Sequence, residues 1–185
     1  MPIAVAFLFL LATIWPQALL ASEAAWQALR DGGTVALVRH ARAPGTGDPP
    51  QFRLEDCSTQ RNLSAEGRRQ AETIGEQFRI RQVPVEQVLS SRWCRALDTA
   101  RLAFRGLTEP FPPLDSFFVG REREEAQTRA VRERIGAWRS PGVLVLVTHQ
   151  VNIAALTGIF PEEGEALVLK PKAGSGFDLV GRVRP

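Results

Sequence analysis

The chain has 185 residues, of which 44% are apolar, 23% charged and 8% aromatic, a composition typical of one globular domain. These values exclude a disordered tail or a collagen-like fibre, and the length excludes two large domains. The formal net charge is +3, and all 23 basic residues except Lys170 and Lys172 are arginines. Arginine suits planar, bidentate binding of phosphate or carboxylate. Acidic residues interrupt the arginines in residues 121–134, so nucleic acid is not an expected partner.

The amino terminus has the pattern of an export signal. Residues 3–20 are nearly all apolar and uncharged, and small residues around Ala21 precede the first acid. This pattern predicts a signal peptide over residues 1–21, or to residue 24 if cleavage follows Ala24. An uncleaved membrane anchor is the alternative, because the n-region carries only the α-amino charge. We expect a periplasmic or secreted domain over residues 25–185.

Two cysteines follow the signal, Cys57 and Cys94. An even number of cysteines in a chain that meets an oxidising compartment is compatible with a disulfide. Two buried thiols fit the sequence equally well, so the sequence leaves both alternatives open. A metal site is not expected from these residues, because no histidine cluster accompanies them.

Strand patterns recur along the rest of the chain. Buried strands are predicted over residues 34–38, 85–89 and 143–147, the last an unbroken run of Val and Leu. Two edge strands are predicted over residues 166–169 and 177–180.

Helix patterns lie between the buried strands. One helix is predicted to begin after an N-cap at Ser64, and others are predicted over residues 93–104 and 122–139. Residues 44–50 and 110–113 are predicted loops, because proline is frequent in both. The order of elements predicts a single-domain α/β fold, a doubly wound three-layer αβα sandwich with a mostly parallel sheet.

Both histidines of the chain directly follow predicted strands, His40 the first and His149 the last of the buried three. Open α/β sheets bind ligands at the carboxyl edge of their strands, so we expect both imidazoles in one crevice. Arg39, Arg42 and Arg95 are predicted at the same edge. Two imidazoles among guanidinium groups form a pocket for a tetrahedral anion such as phosphate. Two structural histidines are the alternative, and zinc is disfavoured because it needs a third ligand.

Four ordered segments carry a family resemblance. They are Leu37-Val38-Arg39-His40-Ala41, residues 62–71 (NLSAEGRRQA), residues 90–100 (SSRWCRALDTA) and Val147-Thr148-His149. Together they resemble the motifs of the histidine phosphatase superfamily, which includes cofactor-dependent phosphoglycerate mutases and small phosphohistidine phosphatases. The resemblance covers about residues 34–158 and implies a phosphoglycerate mutase-like fold.

The resemblance also implies a role for each motif residue. His40 is expected to be the nucleophile that forms a covalent phosphohistidine. Arg39 and Arg95 are expected to hold the phosphoryl oxygens, and His149 is expected to donate to an equatorial oxygen. No metal or other cofactor is implied, because guanidinium groups supply the positive charge.

Two further site residues are expected with less support from the motifs. Arg42 is expected to bind phosphate or the rest of an acidic substrate, with a solvated loop residue as the alternative. Asp115 is the predicted general acid, although it lies one place earlier than the glutamate of the family. A helix or turn cap is the alternative role for Asp115.

The predicted function is a metal-independent phosphatase that hydrolyses a phosphomonoester through His40. A phosphomutase of the same superfamily and a non-catalytic envelope protein that binds a phosphorylated ligand are the alternatives. The expected partner is a phosphorylated small molecule or an envelope glycan. Membrane contact is expected only through the signal peptide or an uncleaved anchor.

Overall fold

The computed structural model describes residues 15–174 and 176–185, with side chains from residue 22 onwards. Six strands are present in the described residues: β1 (Val35–Arg39), β2 (Val85–Ser90), β3 (Thr108–Pro110), β4 (Val143–Thr148), β5 (Ala166–Pro171) and β6 (Phe177–Val183). They form one mixed sheet in the order β3-β2-β4-β1-β5-β6. The pairs among β1 to β4 are parallel, and β5 and β6 are antiparallel to their neighbours.

Helices cover both faces of this sheet. The α-helices in the described residues are α1 (Trp15–Asp31), α2 (Ala65–Ile80), α3 (Cys94–Ala103), α4 (Glu124–Gly136) and α5 (Gln150–Thr157). Buried residues of α1, α2 and α3 share one apolar core, and those of α4 and α5 share another. The predicted three-layer αβα sandwich is therefore confirmed.

The central strands are apolar along their whole length because both of their faces are covered. In β1, Ala36 and Val38 contribute to the core beneath α2, whereas Val35 and Leu37 contribute to the core beneath α5. All six residues of β4 are buried in the same way. Unbroken β-branched and aliphatic runs are the sequence signature of such doubly covered strands.

The predicted buried strands and helices all occur, with ends that differ by a few residues. The predicted Ser64 cap is also confirmed, because its side chain accepts a hydrogen bond from the Gly67 amide. One prediction is wrong in position: β5 is an interior strand between β1 and β6 and not an edge strand. Its partner β6 ends the sheet and carries the exposed apolar side chains Leu179 and Val180.

The predicted signal peptide over residues 1–21 lies largely outside the described residues. Helix α1 contains both of the predicted cleavage positions, Ala21 and Ala24. In the part of the chain that the structure describes, no helix is long and apolar enough to cross a membrane. The boundary between signal and domain stays a prediction.

Cys57 and Cys94 form a disulfide, with their Cα atoms 5.7 Å apart. This bond resolves the two alternatives that the sequence left open. It ties residues 44–62, the loop between β1 and α2, to the start of α3. Gln60 reinforces the connection, because its side-chain oxygen accepts a hydrogen bond from the Cys94 amide at 3.0 Å.

We predict that reduction of this disulfide destabilises the protein by about 4 kcal/mol, because a cross-link of this span restricts the unfolded chain. Urea unfolding with and without a phosphine reductant measures the difference. A variant with both Cys57→Ala and Cys94→Ala is the control, and reductant should not change its stability. Two free thiols in the unfolded, unreduced protein would contradict the bond.

Candidate active site

The carboxyl ends of three neighbouring strands meet at one edge of the sheet. Strands β1 and β4 pair with Arg39 opposite Thr148, so His40 and His149 leave the sheet side by side. Their ring centroids are 5.4 Å apart. Strand β2 lies on the other side of β4 and leads into α3, which begins next to Arg95. The sheet order thus brings together the motif residues that lie far apart in the sequence, as the strand positions predicted.

These residues border a cavity of about 500 Å³. Arg39, His40, Arg95 and His149 all line it, together with Arg61 and Asp48. Both imidazoles are nearly fully buried, although they line an open cavity.

His40 presents one free ring nitrogen. Its Nδ1 lies 2.8 Å from the backbone oxygen of Ala41, and a carbonyl only accepts, so Nδ1 carries the proton. The neutral ring then has its lone pair on Nε2, the atom that would attack phosphorus. Burial lowers the pKa of His40 to about 3, and the positive charge of Arg95 contributes to the shift. The His40 imidazole is therefore uncharged at neutral pH.

His149 is held by a serine. Its Nε2 lies 2.8 Å from the hydroxyl of Ser91 at the end of β2. Burial lowers the pKa of His149 well below its ordinary value, and the charge of Arg95 adds to that effect. Its Nδ1 is buried and has no hydrogen-bond partner among the described residues. The Ser91 hydroxyl has one proton for two acceptors, His149 Nε2 and Asp115 Oδ1 at 3.4 Å; donation to the nearer Nε2 leaves the proton of the neutral imidazole on Nδ1.

Two guanidinium groups also have unused donors in this part of the structure. The Nε atoms of Arg39 and Arg95 are buried and unpartnered among the described residues. Their other contacts hold the side chains in place: Arg39 donates to the Pro161 carbonyl at 2.8 Å, and Arg95 donates to Asp48 at 2.8 Å. Both side chains line the same cavity as Arg61, and three guanidinium groups around one cavity favour the binding of an anion.

Asp48 and Arg61 are site residues that the sequence motifs did not reveal. Asp48 accepts hydrogen bonds from the Arg95 guanidinium, the Trp93 indole and the Arg61 amide. Burial raises the pKa of Asp48, but its hydrogen bond with Arg95 and the charge of Arg95 outweigh that effect and lower it below its ordinary value. Asp48 is thus an anionic clamp on Arg95. Asp48 and Arg61 both lie in the 44–62 loop. In the sequence, this loop shows only a proline-rich stretch and an arginine next to a motif.

Arg42 does not reach the cavity. Its guanidinium is about half exposed and pairs with Glu66 on α2, whereas Arg61 lines the cavity. The backbone of Arg42, in contrast, is fixed: its carbonyl accepts from Ser64, and its amide donates to Gln70. The helix motif therefore fastens the chain just after His40. The Arg42 side chain is thus a solvated loop residue, which was the alternative. The geometry gives no support to the predicted role of Arg42 in binding substrate.

The glycine of the same motif permits this attachment. A Cβ atom at Gly67 would lie 2.0 Å from the carbonyl oxygen of Arg42. Any larger residue would push α2 away from the segment that follows His40. The motif spacing thus has a physical reason at this position.

Asp115 is the predicted residue whose surroundings differ most from the expectation. It is 2% exposed and does not line the cavity. Its Oδ2 accepts two hydrogen bonds from the Arg92 guanidinium, at 2.8 and 2.6 Å. Its Oδ1 accepts from the Arg92 amide and lies 3.4 Å from the Ser91 hydroxyl. A carboxylate occupied in this way positions the strand end beside His149 and is not placed to protonate a leaving group.

Part of the cavity wall is apolar. Phe52 and Trp93 form an aromatic pair with centroids 5.5 Å apart, and Trp93 also packs against His149 at 5.8 Å. Phe118 and Val119 line the mouth and are 46% and 84% exposed. In the described ranges, no three His, Cys, Asp or Glu side chains are grouped to hold a metal ion.

The family comparison agrees with this arrangement. A family model described as the histidine phosphatase superfamily (branch 1) matches residues 35–117. This match contains His40 and Arg95, whereas His149 lies beyond it. No curated protein matches the sequence significantly.

Solved structures share the fold. The chain is 22% identical to an Agrobacterium tumefaciens protein assigned as the phosphohistidine phosphatase SixA, over 82% of this chain and 97% of that chain, with a TM-score of 0.54. The protein histidine phosphatase SixA complexed with tungstate is 14% identical, over 82% of this chain and 96% of that chain, with a TM-score of 0.56. A mycobacterial glucosyl-3-phosphoglycerate phosphatase is 21% identical, over 74% of this chain and 89% of that chain, with a TM-score of 0.52. Similarity at these identities shows a common fold.

We predict that Arg95→Lys lowers kcat/KM for an aryl phosphate by about ten- to a thousandfold, because lysine keeps the charge but loses the planar fork. Arg101→Lys, an exposed position on the same helix, is the matched control and should stay within about twofold. Steady-state kinetics on proteins with equal circular dichroism spectra make the comparison. Equal activity of the two variants would show that Arg95 does not bind the reacting group.

The lowered histidine pKa values predict a pH-dependent stability. Histidine in the unfolded chain takes up a proton near pH 6.5, whereas folded His40 does so only near pH 3. Between these values the unfolded state binds more protons, so the free energy of unfolding falls as pH decreases, by about 1.4 kcal/mol per pH unit for one imidazole. Urea unfolding at pH values from about 7 to about 4 measures the slope. The same slope in His40→Gln and wild type would contradict the prediction.

Proposed function

We propose that this chain, which belongs to the histidine phosphatase superfamily, hydrolyses a phosphomonoester through a covalent phosphohistidine on His40. Members of the superfamily are phosphatases or mutases. The observation that carries the proposal is the unprotonated Nε2 of His40 in a cavity ringed by Arg39, Arg61 and Arg95. A tetrahedral oxyanion suits three guanidinium groups around one cavity, and a related fold has been solved with tungstate, an ion of that shape.

In the first step, the lone pair on His40 Nε2 attacks phosphorus and a P–N bond forms. The P–O bond to the leaving group breaks, and the leaving oxygen departs with the electron pair. Arg39 and Arg95 would balance the charge on the equatorial oxygens with their guanidinium groups, and His149 would complete the pocket. The Nδ1 proton of His40 stays on its bond to Ala41, which stabilises the charged ring that forms.

In the second step, water attacks the phosphohistidine. The P–N bond breaks, its electron pair returns to Nε2, and inorganic phosphate leaves. Hydrolysis is favoured over transfer to a second substrate hydroxyl because the cavity mouth is open: Val119 at its edge is 84% exposed. A mutase would need to exclude water from the intermediate.

We further propose that the protein acts outside the cytoplasm. The predicted signal peptide motivates this location, and the Cys57–Cys94 disulfide supports it because such bonds persist in oxidising compartments. The cavity size supports a small phosphorylated molecule as substrate. A non-catalytic binding protein would have no need for a free nucleophilic nitrogen beside the anion site.

The test is to trap the intermediate. Protein mixed with ³²P-labelled acetyl phosphate and quenched in alkali should retain label on histidine, because phosphohistidine survives alkali and phosphoserine linkages do not. We expect His40→Ala to carry no label and to lose at least about a thousandfold in kcat. Arg101→Lys is the control for handling and folding.

Label of equal amount on His40→Ala, or a variant that keeps a tenth of the wild-type kcat, would overturn the proposed mechanism. Chelators should leave wild-type activity unchanged, because guanidinium groups supply the positive charge in this proposal. Loss of activity on chelation would equally contradict it.

A further inference from the structure

The cavity extends beyond the anion site into an apolar region. This region is lined by side chains from three connecting segments: Phe52 from the 44–62 loop, Trp93 before α3, and Phe118 with Val119 after β3. The loops meet at the mouth, where the Phe118 ring lies 3.7 Å from the position that a Cβ atom of Gly47 would take. The anion site and this apolar region form one continuous cavity.

Two of these apolar residues are exposed to solvent instead of being packed in a core. Phe118 is 46% and Val119 84% exposed, although both lie beside a charged site. Exposed apolar groups gathered at a binding cavity are commonly covered by ligand. Trp93 lies deeper, 5% exposed, between His149 and Phe52. A flat ring attached to the phosphate would meet aromatic surface at both depths.

The second observation concerns proton donors. In the described residues, the carboxyl groups that line the cavity are those of Asp48 and Glu122. Asp48 is clamped by Arg95 and Trp93, and Glu122 lies at the rim with its side chain 78% exposed. Asp115 is buried behind the cavity wall against Arg92. No buried carboxylic acid of the described chain therefore faces the position of a leaving oxygen.

We propose that the substrate is an aryl phosphate, a phosphate ester of an aromatic hydroxyl. This inference rests on the proposed function, because it names the substrate class of the same site. An aromatic hydroxyl leaves as a resonance-stabilised anion, so the P–O bond breaks without a protein acid, and the aryloxide takes its proton from water after it leaves. The ring occupies the apolar region, and the phosphoryl group occupies the anion site.

The experiment compares three phosphates. Phenyl phosphate and benzyl phosphate carry the same ring, but benzyl alcohol is a much poorer leaving group. Acetyl phosphate has a good leaving group and no ring. We expect kcat/KM to be at least about a hundredfold higher for phenyl than for benzyl phosphate. Benzyl alcohol needs a general acid to leave, and the rate enhancement that such an acid supplies is at least of this size. Similar values for the two esters would show that an acid operates and would overturn the proposal.

The apolar region is tested by the selectivity ratio, kcat/KM for 2-naphthyl phosphate divided by that for acetyl phosphate. Phe118→Ala should lower this ratio about tenfold, because it removes apolar surface that the ring covers. Phe160→Ala is the matched control: Phe160 is 71% exposed and does not line the cavity, so its ratio should stay within about twofold.

The two variants separate the possible failures. An unchanged ratio in Phe118→Ala overturns the aryl assignment even when acetyl phosphate is hydrolysed in a His40-dependent way. Absence of His40-dependent hydrolysis of all three compounds, phenyl, benzyl and acetyl phosphate, overturns the proposed function itself. A higher wild-type kcat/KM for sugar phosphates than for phenyl phosphate also overturns the aryl assignment.

Discussion

The central constraint on this structure is the positive charge that surrounds two buried imidazoles. Arg39, Arg61 and Arg95 line the same cavity as His40, and burial together with these charges keeps the ring neutral. A protonated ring in this place would be both desolvated and repelled. The same charges that disfavour protonation of His40 would attract a phosphoryl group, as the proposed function requires.

Much of the surrounding structure holds these charges in place. Asp48 orients Arg95, and the Cys57–Cys94 disulfide anchors the loop that carries Asp48 to the start of α3. On the other side, Asp115 holds Arg92 and lies near Ser91, which contacts His149. The carboxylates are thus used to position the cations and imidazoles. This arrangement fits a site whose chemistry relies on fixed donors and on a leaving group that departs unassisted.

The sequence predicted the parts of the site that regular structure determines. His40 and His149 end parallel neighbouring strands, so periodicity and strand ends were enough to bring them together. The residues it did not predict depend on the path of a long loop. Asp48 and Arg61 reach the cavity only because residues 44–62 fold back over α3, and no local pattern encodes that contact. Arg42 is close to His40 in sequence, but closeness in sequence is a poor guide to cavity contacts within an irregular loop, and Arg61 lines the cavity instead.

Two differences in the fold have similar causes. Helix α5 was not predicted because its eight residues are short and largely apolar, and such a run does not distinguish helix from strand. Strand β5 was predicted at the edge of the sheet, whereas it pairs antiparallel with β1. The sequence of a strand does not show which strand it pairs with. The family motifs lie on neither element.

The state of His40 tests the central claim most directly. The chain has only two histidines, so ¹⁵N NMR of histidine-labelled protein gives four ring nitrogen signals. The structure predicts that His40 is a neutral ring with the proton on Nδ1 and a free Nε2, and that this state persists to about pH 5. Assignment by His40→Gln identifies its pair of signals. A His40 ring that becomes an imidazolium near pH 6.5, or one with its proton on Nε2, would contradict the claim.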